Sequence, residues 1–131
     1  MIVLDASVVV DLLLGTRPQA KTISREIRTQ GIDLHAPHLI DAEVGHVLRR
    51  LTLSGVLRPS RGRRSLDRLA RLPIVRYSHG PLMGRAFELR SNLSFYDAIY
   101  IALTEALGAI LLTRDASLDA VPRSRARILV V

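Results

Sequence analysis

Four carboxylates lie unusually close to apolar sequence in this chain. Asp5 and Asp115 each come directly after a short apolar run, one near the start of the chain and one near its end. Glu43 and Asp97 lie in segments whose apolar residues recur at helical spacing. Burying a charge is costly unless it is paired or bound to a metal. These acids are therefore candidates for a chemical role.

Each carboxylate also has an ordinary structural interpretation. Asp5 can cap the helix that follows it, and Asp115 can cap or form a turn. Asp97 lies three residues after Ser94, which is the spacing of a capping box. Glu43 can reach water at the boundary of its helix and pair with a nearby arginine. These alternatives stay open for each residue alone.

Together, the carboxylates predict an oxygen-only metal site. Strands of a parallel sheet end at the same edge, and α/β folds hold their ligands there. Mg²⁺ and Mn²⁺ prefer carboxylate oxygen ligands. Without a cation, four acids at one edge would repel one another and raise their own pKa values.

The elements that must position these acids follow from periodicity and from glycine and proline stops. Five strands are predicted, at residues 2–4, 34–36, 74–77, 109–113 and 128–131. Helices are predicted at 7–14, 18–29, 39–53, 60–72, 82–92 and 94–107, with Gly15, Gly31, Gly55 and Gly108 as stops. Strands that alternate with helices favour an α/β fold with a parallel sheet covered on both faces. The length of 131 residues predicts a single domain, 1–131.

Composition narrows the class of protein. A hydrophobic fraction of 48% argues against disorder, and the absence of cysteine excludes disulfides and thiolate metal sites. No run approaches the ~20 apolar residues of a membrane span, and no signal peptide is visible. We therefore expect a cytoplasmic protein with no membrane association.

The net charge of +7 points to a polyanionic partner. Arg61, Arg64 and Arg68 recur at spacings of three and four, so they share one face of a predicted helix. Arg114, beside Asp115, is a further candidate for binding RNA. The alternative is a solvated helix face without a ligand.

Four stretches, taken in order, resemble the PIN-domain ribonucleases, and most closely the VapC-type toxins of bacterial toxin–antitoxin pairs. The matching stretches are Ile2-Val3-Leu4-Asp5-Ala6-Ser7, Ala36-Pro37 through Glu43-Val44, Tyr96-Asp97-Ala98-Ile99-Tyr100-Ile101-Ala102-Leu103 and Leu112-Thr113-Arg114-Asp115. Each stretch has low specificity alone, whereas the ordered set is strongly specific. The resemblance covers essentially the whole chain.

The resemblance implies a PIN-like three-layer α/β/α sandwich with a mostly parallel central sheet of four to five strands. It also implies an endoribonuclease that depends on one or two Mg²⁺ or Mn²⁺ ions and leaves 5′-phosphate and 3′-hydroxyl ends. The residues that match the family's acidic quartet are Asp5, Glu43, Asp97 and Asp115. Ser7 and Thr113 match supporting hydroxyl positions, and Asp119 falls where family members vary.

The resemblance further implies a toxin that forms a homodimer and a hetero-oligomer with a cognate VapB-like antitoxin. The RNA substrate would be a structured RNA such as tRNA or rRNA. The acidic pocket could accept a basic side chain of the antitoxin, and apolar residues of helices 7–14 and 39–53 could supply docking surface. The alternatives are an RNA-binding PIN-like module without activity, and a housekeeping or DNA-directed nuclease with the same acids.

Overall fold

The protein folds around a five-stranded sheet in which every pairing between described strands is parallel. The structure, a computed structural model, describes residues 1–16, 18–30 and 33–131. The strand order is β3-β2-β1-β4-β5. The strands are β1 (Ile2–Leu4), β2 (Leu34–Pro37), β3 (Ile74–Tyr77), β4 (Ile110–Thr113) and β5 (Arg127–Val130).

Helices cover both faces of this sheet. They are α1 (Ala6–Leu14), α2 (Gln19–Gln30), α3 (Leu39–Leu53), α4 (Pro59–Arg71), α5 (Met83–Glu88) and α6 (Phe95–Leu107). The first four pack against one another, with α1 on β4 and α3 on β2, whereas α5 and α6 form a second group in which α6 lies on β1, β2 and β4. The sheet therefore forms the middle of three layers, and the predicted α/β/α sandwich is confirmed.

The central strand β1 explains why both helical layers are needed. Ile2, Val3 and Leu4 are each at most 1% exposed. Successive residues of a strand point to opposite faces of the sheet, so burial of all three requires cover on both sides. On one side this cover comes from α6, in which every residue from Ala98 to Thr104 is buried.

The strand order reverses beside β1, and this reversal creates the site. β1 pairs with β2 on one side and with β4 on the other, with Leu4 opposite Leu112. The backbone N–H of Asp5 then donates to the carbonyl of Leu112 over 3.1 Å. Parallel sheets open a crevice where the strand order reverses, outside the carboxyl ends of the strands.

The observed elements agree with the predicted ones to within a residue or two, apart from α5. A helix was predicted over residues 82–92, but the structure has a 3₁₀ turn at Gly80–Leu82 and then a helix that ends at Glu88. The prediction was wrong at its end because Ser91 and Asn92 favour turns. Gly15 and Gly108 have left-handed φ values of 65° and 59° and end α1 and α6 as predicted. The stop predicted at Gly31 lies outside the described residues.

None of the helices in the described ranges combines the length and the apolarity that crossing a bilayer would require.

An arginine ties the second helical group to the C-terminal part of the chain. Arg85 of α5 donates to both carboxylate oxygens of Glu105 on α6, over 2.7 and 3.1 Å, and to the carbonyl of Arg123. The side chain of Glu105 is only 9% exposed. The hydrogen bond from Arg85 is the main cause that lowers the pKa of Glu105. This pair therefore stabilises the folded state, and its contribution depends on pH.

We predict that Arg85→Met lowers the free energy of unfolding at pH 7 by about 2 kcal/mol, because the nearly buried Glu105 loses its charged partner. The folded-state pKa of Glu105 lies below its ordinary value of 4.5. The stabilisation is therefore complete above that value and is lost as the pH falls through the lowered pKa. Urea unfolding at pH 7 and at about pH 3 measures the difference between variant and wild type.

Arg63→Met is the matched control, since Arg63 pairs with Asp67 across an exposed helix surface. Its effect should stay within about 0.5 kcal/mol. An Arg85→Met protein as stable as wild type at pH 7 would contradict the proposed role of the pair.

Candidate active site

A cleft of about 670 Å³ lies at the carboxyl ends of β1 and β4, and all four predicted carboxylates border it. They come from four places in the chain. Asp5 follows β1, Glu43 is in α3, Asp97 is in the first turn of α6, and Asp115 follows β4. The fold thus brings together residues that are up to 110 positions apart in the sequence.

Two hydroxyl groups orient Asp5. The hydroxyls of Ser7 and Thr113 each donate to the Oδ2 atom of Asp5 over 2.7 Å. Asp5 occupies the N-cap position of α1, but its side chain accepts no helix N–H. Within the described residues, Oδ1 of Asp5 accepts no hydrogen bond and remains available to a ligand in the cleft. Ser7 and Thr113 therefore fix the orientation of the Asp5 carboxylate at the cleft.

Glu43 is held by a tyrosine from the opposite helical layer. The hydroxyl of Tyr100 donates to Oε2 of Glu43 over 2.7 Å. Burial is the main cause that raises the pKa of Glu43, and the charges of Asp5 and Asp97 raise it further, against the Tyr100 hydrogen bond. Burial, the charge of Glu43 and the hydrogen bond all raise the pKa of Tyr100, so this hydroxyl remains a proton donor.

Asp97 combines a capping position with a place in the cleft. Its backbone N–H donates to the hydroxyl of Ser94 over 3.1 Å, so the predicted cap is present. Burial is the main cause that raises the pKa of Asp97, and the charges of Asp5 and Asp115 raise it further, whereas a hydrogen bond between Ser94 and the Asp97 side chain lowers it. The two interpretations of this residue are compatible, because the backbone makes the cap and the side chain borders the cleft.

Asp115 is the most exposed of the four acids. Its backbone N–H donates to the hydroxyl of Thr113, and its Oδ1 accepts from the N–H of Ser117 at the start of a 3₁₀ turn, Ala116–Ala120. Asp119 lies in this turn, is exposed and is not among the residues that line the cleft. The structure therefore brings Asp115, but not Asp119, to the site.

The donor set suits a hard divalent cation, since it consists of carboxylate oxygens. The pKa values of Glu43 and Asp97 are raised mainly by burial and further by neighbouring carboxylates, and a cation in the cleft would offset both effects. In the described ranges, however, no three acidic or histidine side chains already stand close enough to form a coordination shell.

Sequence reasoning missed Tyr100 and an ion pair between Asp11 and Arg114. Tyr100 lies three residues after Asp97, and this spacing could have placed the two on one side of the helix. Arg114, predicted to bind RNA, donates to Asp11 over 3.0 Å, and Asp11 is only 5% exposed. Arg114 is thus engaged in holding the segment after β4 against α1.

The predicted basic face of α4 lies away from the cleft. Arg61 and Arg68 donate to the carbonyls of Leu14 and Leu13 at the end of α1, over 2.6 and 2.8 Å. Asp5 precedes the other end of this helix, which is about 13 Å long. A cation at a helix C-terminus is electrostatically favourable. A surface pocket lies between the end of α1 and α4, and Arg64 lines it together with Arg61 and Arg68. The Arg64 side chain makes no hydrogen bond to the described residues.

The docking surface expected on residues 7–14 is largely core. Val8, Val9, Val10 and Leu13 are all buried, so that expectation was wrong for most of this helix. They are buried because α1 packs against α2, α3 and α4 as well as the sheet. The end of α3 does expose apolar surface, with Leu53 at 70%.

Comparison with known proteins agrees with this geometry. The family model for the PIN domain matches residues 2–124. Ribonuclease VapC1 of Mycobacterium tuberculosis is 46% identical over 121 residues, which cover 92% of this chain and 90% of VapC1.

Solved structures share the fold at lower identity. The VapC20 toxin of Mycobacterium tuberculosis, which cleaves the sarcin–ricin loop, is 17% identical with a TM-score of 0.65, covering 85% of this chain and 87% of VapC20. A toxin–antitoxin complex from Klebsiella pneumoniae contains a chain with 17% identity and a TM-score of 0.68, covering 93% of each chain. The matched family model, the 46% identity to VapC1 and the acidic cleft together show that this chain belongs to the PIN-domain family and, within it, to the VapC ribonuclease toxins.

Proposed function

We propose that this chain is an endoribonuclease that requires Mg²⁺ or Mn²⁺, and that Asp5, Glu43, Asp97 and Asp115 hold one or two of these ions. The observation that carries the proposal is the convergence of four carboxylates on one cleft. The raised pKa values of Glu43 and Asp97 support it, because an acidic site that repels itself gains stability from a bound cation.

The residues of the chain have distinct tasks in this proposal. Ser7 and Thr113 hold one oxygen of Asp5, which leaves the other directed to the ligand. Tyr100 fixes Glu43 from the opposite layer. When bound, the divalent ion lowers the pKa of a coordinated water and neutralises the charge that develops on the phosphate. The reaction is attack of water on phosphorus, which releases a 3′-hydroxyl and leaves a 5′-phosphate on the other product.

A structured RNA such as tRNA or rRNA is the proposed substrate. The name of VapC1 as a ribonuclease and the sarcin–ricin loop activity of VapC20 support RNA over DNA. The net charge of +7 suits a polyanion, and among the candidate arginines Arg64 has side-chain donors available for a phosphate.

We also propose that a VapB-like antitoxin controls this activity in the cytoplasm, and that the toxin forms homodimers and toxin–antitoxin hetero-oligomers. The toxin–antitoxin complex with a similar fold supports this partner. The acidic cleft is open to solvent at Asp115 and would accept a basic side chain. The exposed apolar surface at Leu53, at the end of α3, is a candidate for docking.

Asp97→Asn should abolish cleavage of total RNA in Mg²⁺ or Mn²⁺ and should raise the melting temperature in EDTA. The fold penalises ionised Asp97, since its pKa is raised, and this penalty grows as the pH rises through that pKa. The gain in melting temperature should therefore be present at pH 7 and should disappear in acid. Differential scanning fluorimetry and gel analysis of RNA measure the two effects.

Asp119→Asn is the control for that experiment, because Asp119 is exposed and does not border the cleft. It should change neither cleavage nor melting temperature. Full activity of Asp97→Asn would contradict the metal assignment.

Two results with the wild-type protein would favour the alternative functions. If it leaves RNA intact in both metals, the inactive binding module is the better interpretation. If it digests DNA equally well, the preference for RNA is wrong.

Arg64→Ala should weaken binding of tRNA and reduce the salt dependence of log K by about one unit or less, as loss of a single phosphate contact does. Its stability should match that of wild type. Arg61→Ala and Arg68→Ala should instead lower the melting temperature, because each removes a hydrogen bond to the end of α1. Fluorescence anisotropy at several salt concentrations tests the first effect. An unchanged salt slope for Arg64→Ala would support the alternative that this helix face is solvated and binds no RNA.

Co-expression with the adjacent reading frame should relieve growth inhibition caused by the chain, and the two proteins should co-purify. Leu53→Asp should weaken this complex without reducing RNA cleavage, because Leu53 is exposed and does not line the cleft. Size-exclusion chromatography with light scattering measures the stoichiometry. A chain that is harmless alone, monomeric and free of any co-purifying neighbour would favour a housekeeping nuclease.

A further inference from the structure

The cleft has an aromatic rim that the acidic site does not use. Tyr96 directly precedes Asp97, lines the cleft and is 62% exposed. Within the described residues its hydroxyl makes no hydrogen bond, unlike the hydroxyls of Tyr77 and Tyr100. A large aromatic surface left in water beside an active site is available to a ligand.

One side of α3 forms an apolar wall of the same cleft. Leu39, Ala42 and Val47 lie around Glu43 at spacings that place them on one helix face, and all line the cleft together with the polar ring of His46. Ala42 is exposed, and its small side chain leaves space in front of this wall. A site that bound only metal and phosphate would need no apolar wall. The cleft therefore has features of a pocket for a planar, partly apolar group as well.

We propose that the cleft binds a whole nucleotide, with Tyr96 stacking on the nucleobase beside the scissile phosphate. This inference rests on the proposed RNA cleavage. Tyr96 and Asp97 are adjacent in the chain and both line the cleft, so the tyrosine ring and the carboxylate are within reach of one nucleotide. The phosphate lies at the acids, and the base lies between Tyr96 and the α3 wall.

Stacking of this kind defines a class of substrate. A base must leave its own stack to lie on a protein ring, so an unpaired nucleotide in a loop or bulge binds better than one in a duplex. Every base has a π-face, so Tyr96 contributes affinity with little dependence on sequence. The cleft thus selects unpaired positions within a structured RNA.

Steady-state cleavage of a fluorogenic 12-residue oligoribonucleotide in Mg²⁺ or Mn²⁺ tests the role of the ring. Tyr96→Leu should raise KM roughly 5- to 150-fold, the range expected for loss of one stacked base, with a smaller change in kcat. Tyr96→Phe keeps the ring and should restore KM to near the wild-type value. Ala42→Leu should also raise KM, because it fills the space before the wall.

Phe87→Ala is the matched control. Phe87 is similarly exposed, at 59%, but its ring lies under the guanidinium of Arg90 at 4.5 Å and does not line the cleft. Its KM should equal that of wild type. Equal KM values for Tyr96→Leu and wild type, or equal losses in Tyr96→Phe and Tyr96→Leu, would overturn the proposal.

A second measurement is independent of cleavage. In ¹H NMR, adenosine 5′-monophosphate should shift the ring protons of Tyr96 upfield and bind more tightly than ribose 5-phosphate, which lacks the base. Equal binding of the two, or no shift at Tyr96, would overturn the stacking role even if RNA is cleaved. If no RNA is cleaved in either metal but the upfield shift is present, the proposed nuclease function fails while base binding stands. If the ring protons of Tyr96 shift only when the antitoxin is added and not with the nucleotide, Tyr96 contacts a protein partner and the stacking proposal is wrong.

Discussion

Repulsion among acids gathered at one edge of a sheet is the constraint on which the rest of this structure depends. The two half-buried acids, Glu43 and Asp97, have raised pKa values because partial burial and neighbouring carboxylates both disfavour their charged forms. The protein folds only if the stabilising free energy of the surrounding structure exceeds the free-energy cost of this acidic cluster. The hydrophobic core around β1 supplies that stability. The helical layers on both sides of the sheet remove Ile2, Val3 and Leu4 almost completely from water.

Three arginines that do not line the cleft hold the helix that follows Asp5. Helix α1 begins directly after Asp5, so any movement of the helix would move the acid. Arg61 and Arg68 bind its last carbonyls, and Arg114 pairs with the buried Asp11 near its middle. The arginines of the chain thus fall into two groups. Some of them hold α1 in place, whereas others, including Arg64, face solvent or a ligand.

Much of the architecture could be predicted from the sequence because each signal was local. The apolar run before Asp5 predicted a buried strand, and glycines predicted the ends of α1 and α6. The predicted length of α5 was wrong. The apolar pattern continues past Glu88, but Ser91 and Asn92 favour a turn, and the helix ends before them.

The site was partly predictable for the same reason. Acids that end strands can be recognised locally, and strand order then brings Asp5 near Asp115. Contacts across layers, such as Tyr100 with Glu43, depend on tertiary packing and have only a weak local signal. The role of Arg61 could not be foreseen either, because it depends on how α4 crosses the end of α1, 47 residues earlier in the chain.

The hydrogen bond from Thr113 to Asp5 also has a consequence for the fidelity of folding. It exists only when β4 pairs with β1 in the observed register, in which Leu112 lies opposite Leu4. A slip of one residue would turn Thr113 to the other face of the sheet and leave Asp5 without this partner. The orientation of Asp5 at the cleft therefore depends on the correct pairing of β1 with β4. A chain with the slipped register would lack both the Thr113 contact and the native placement of Asp5 at the cleft.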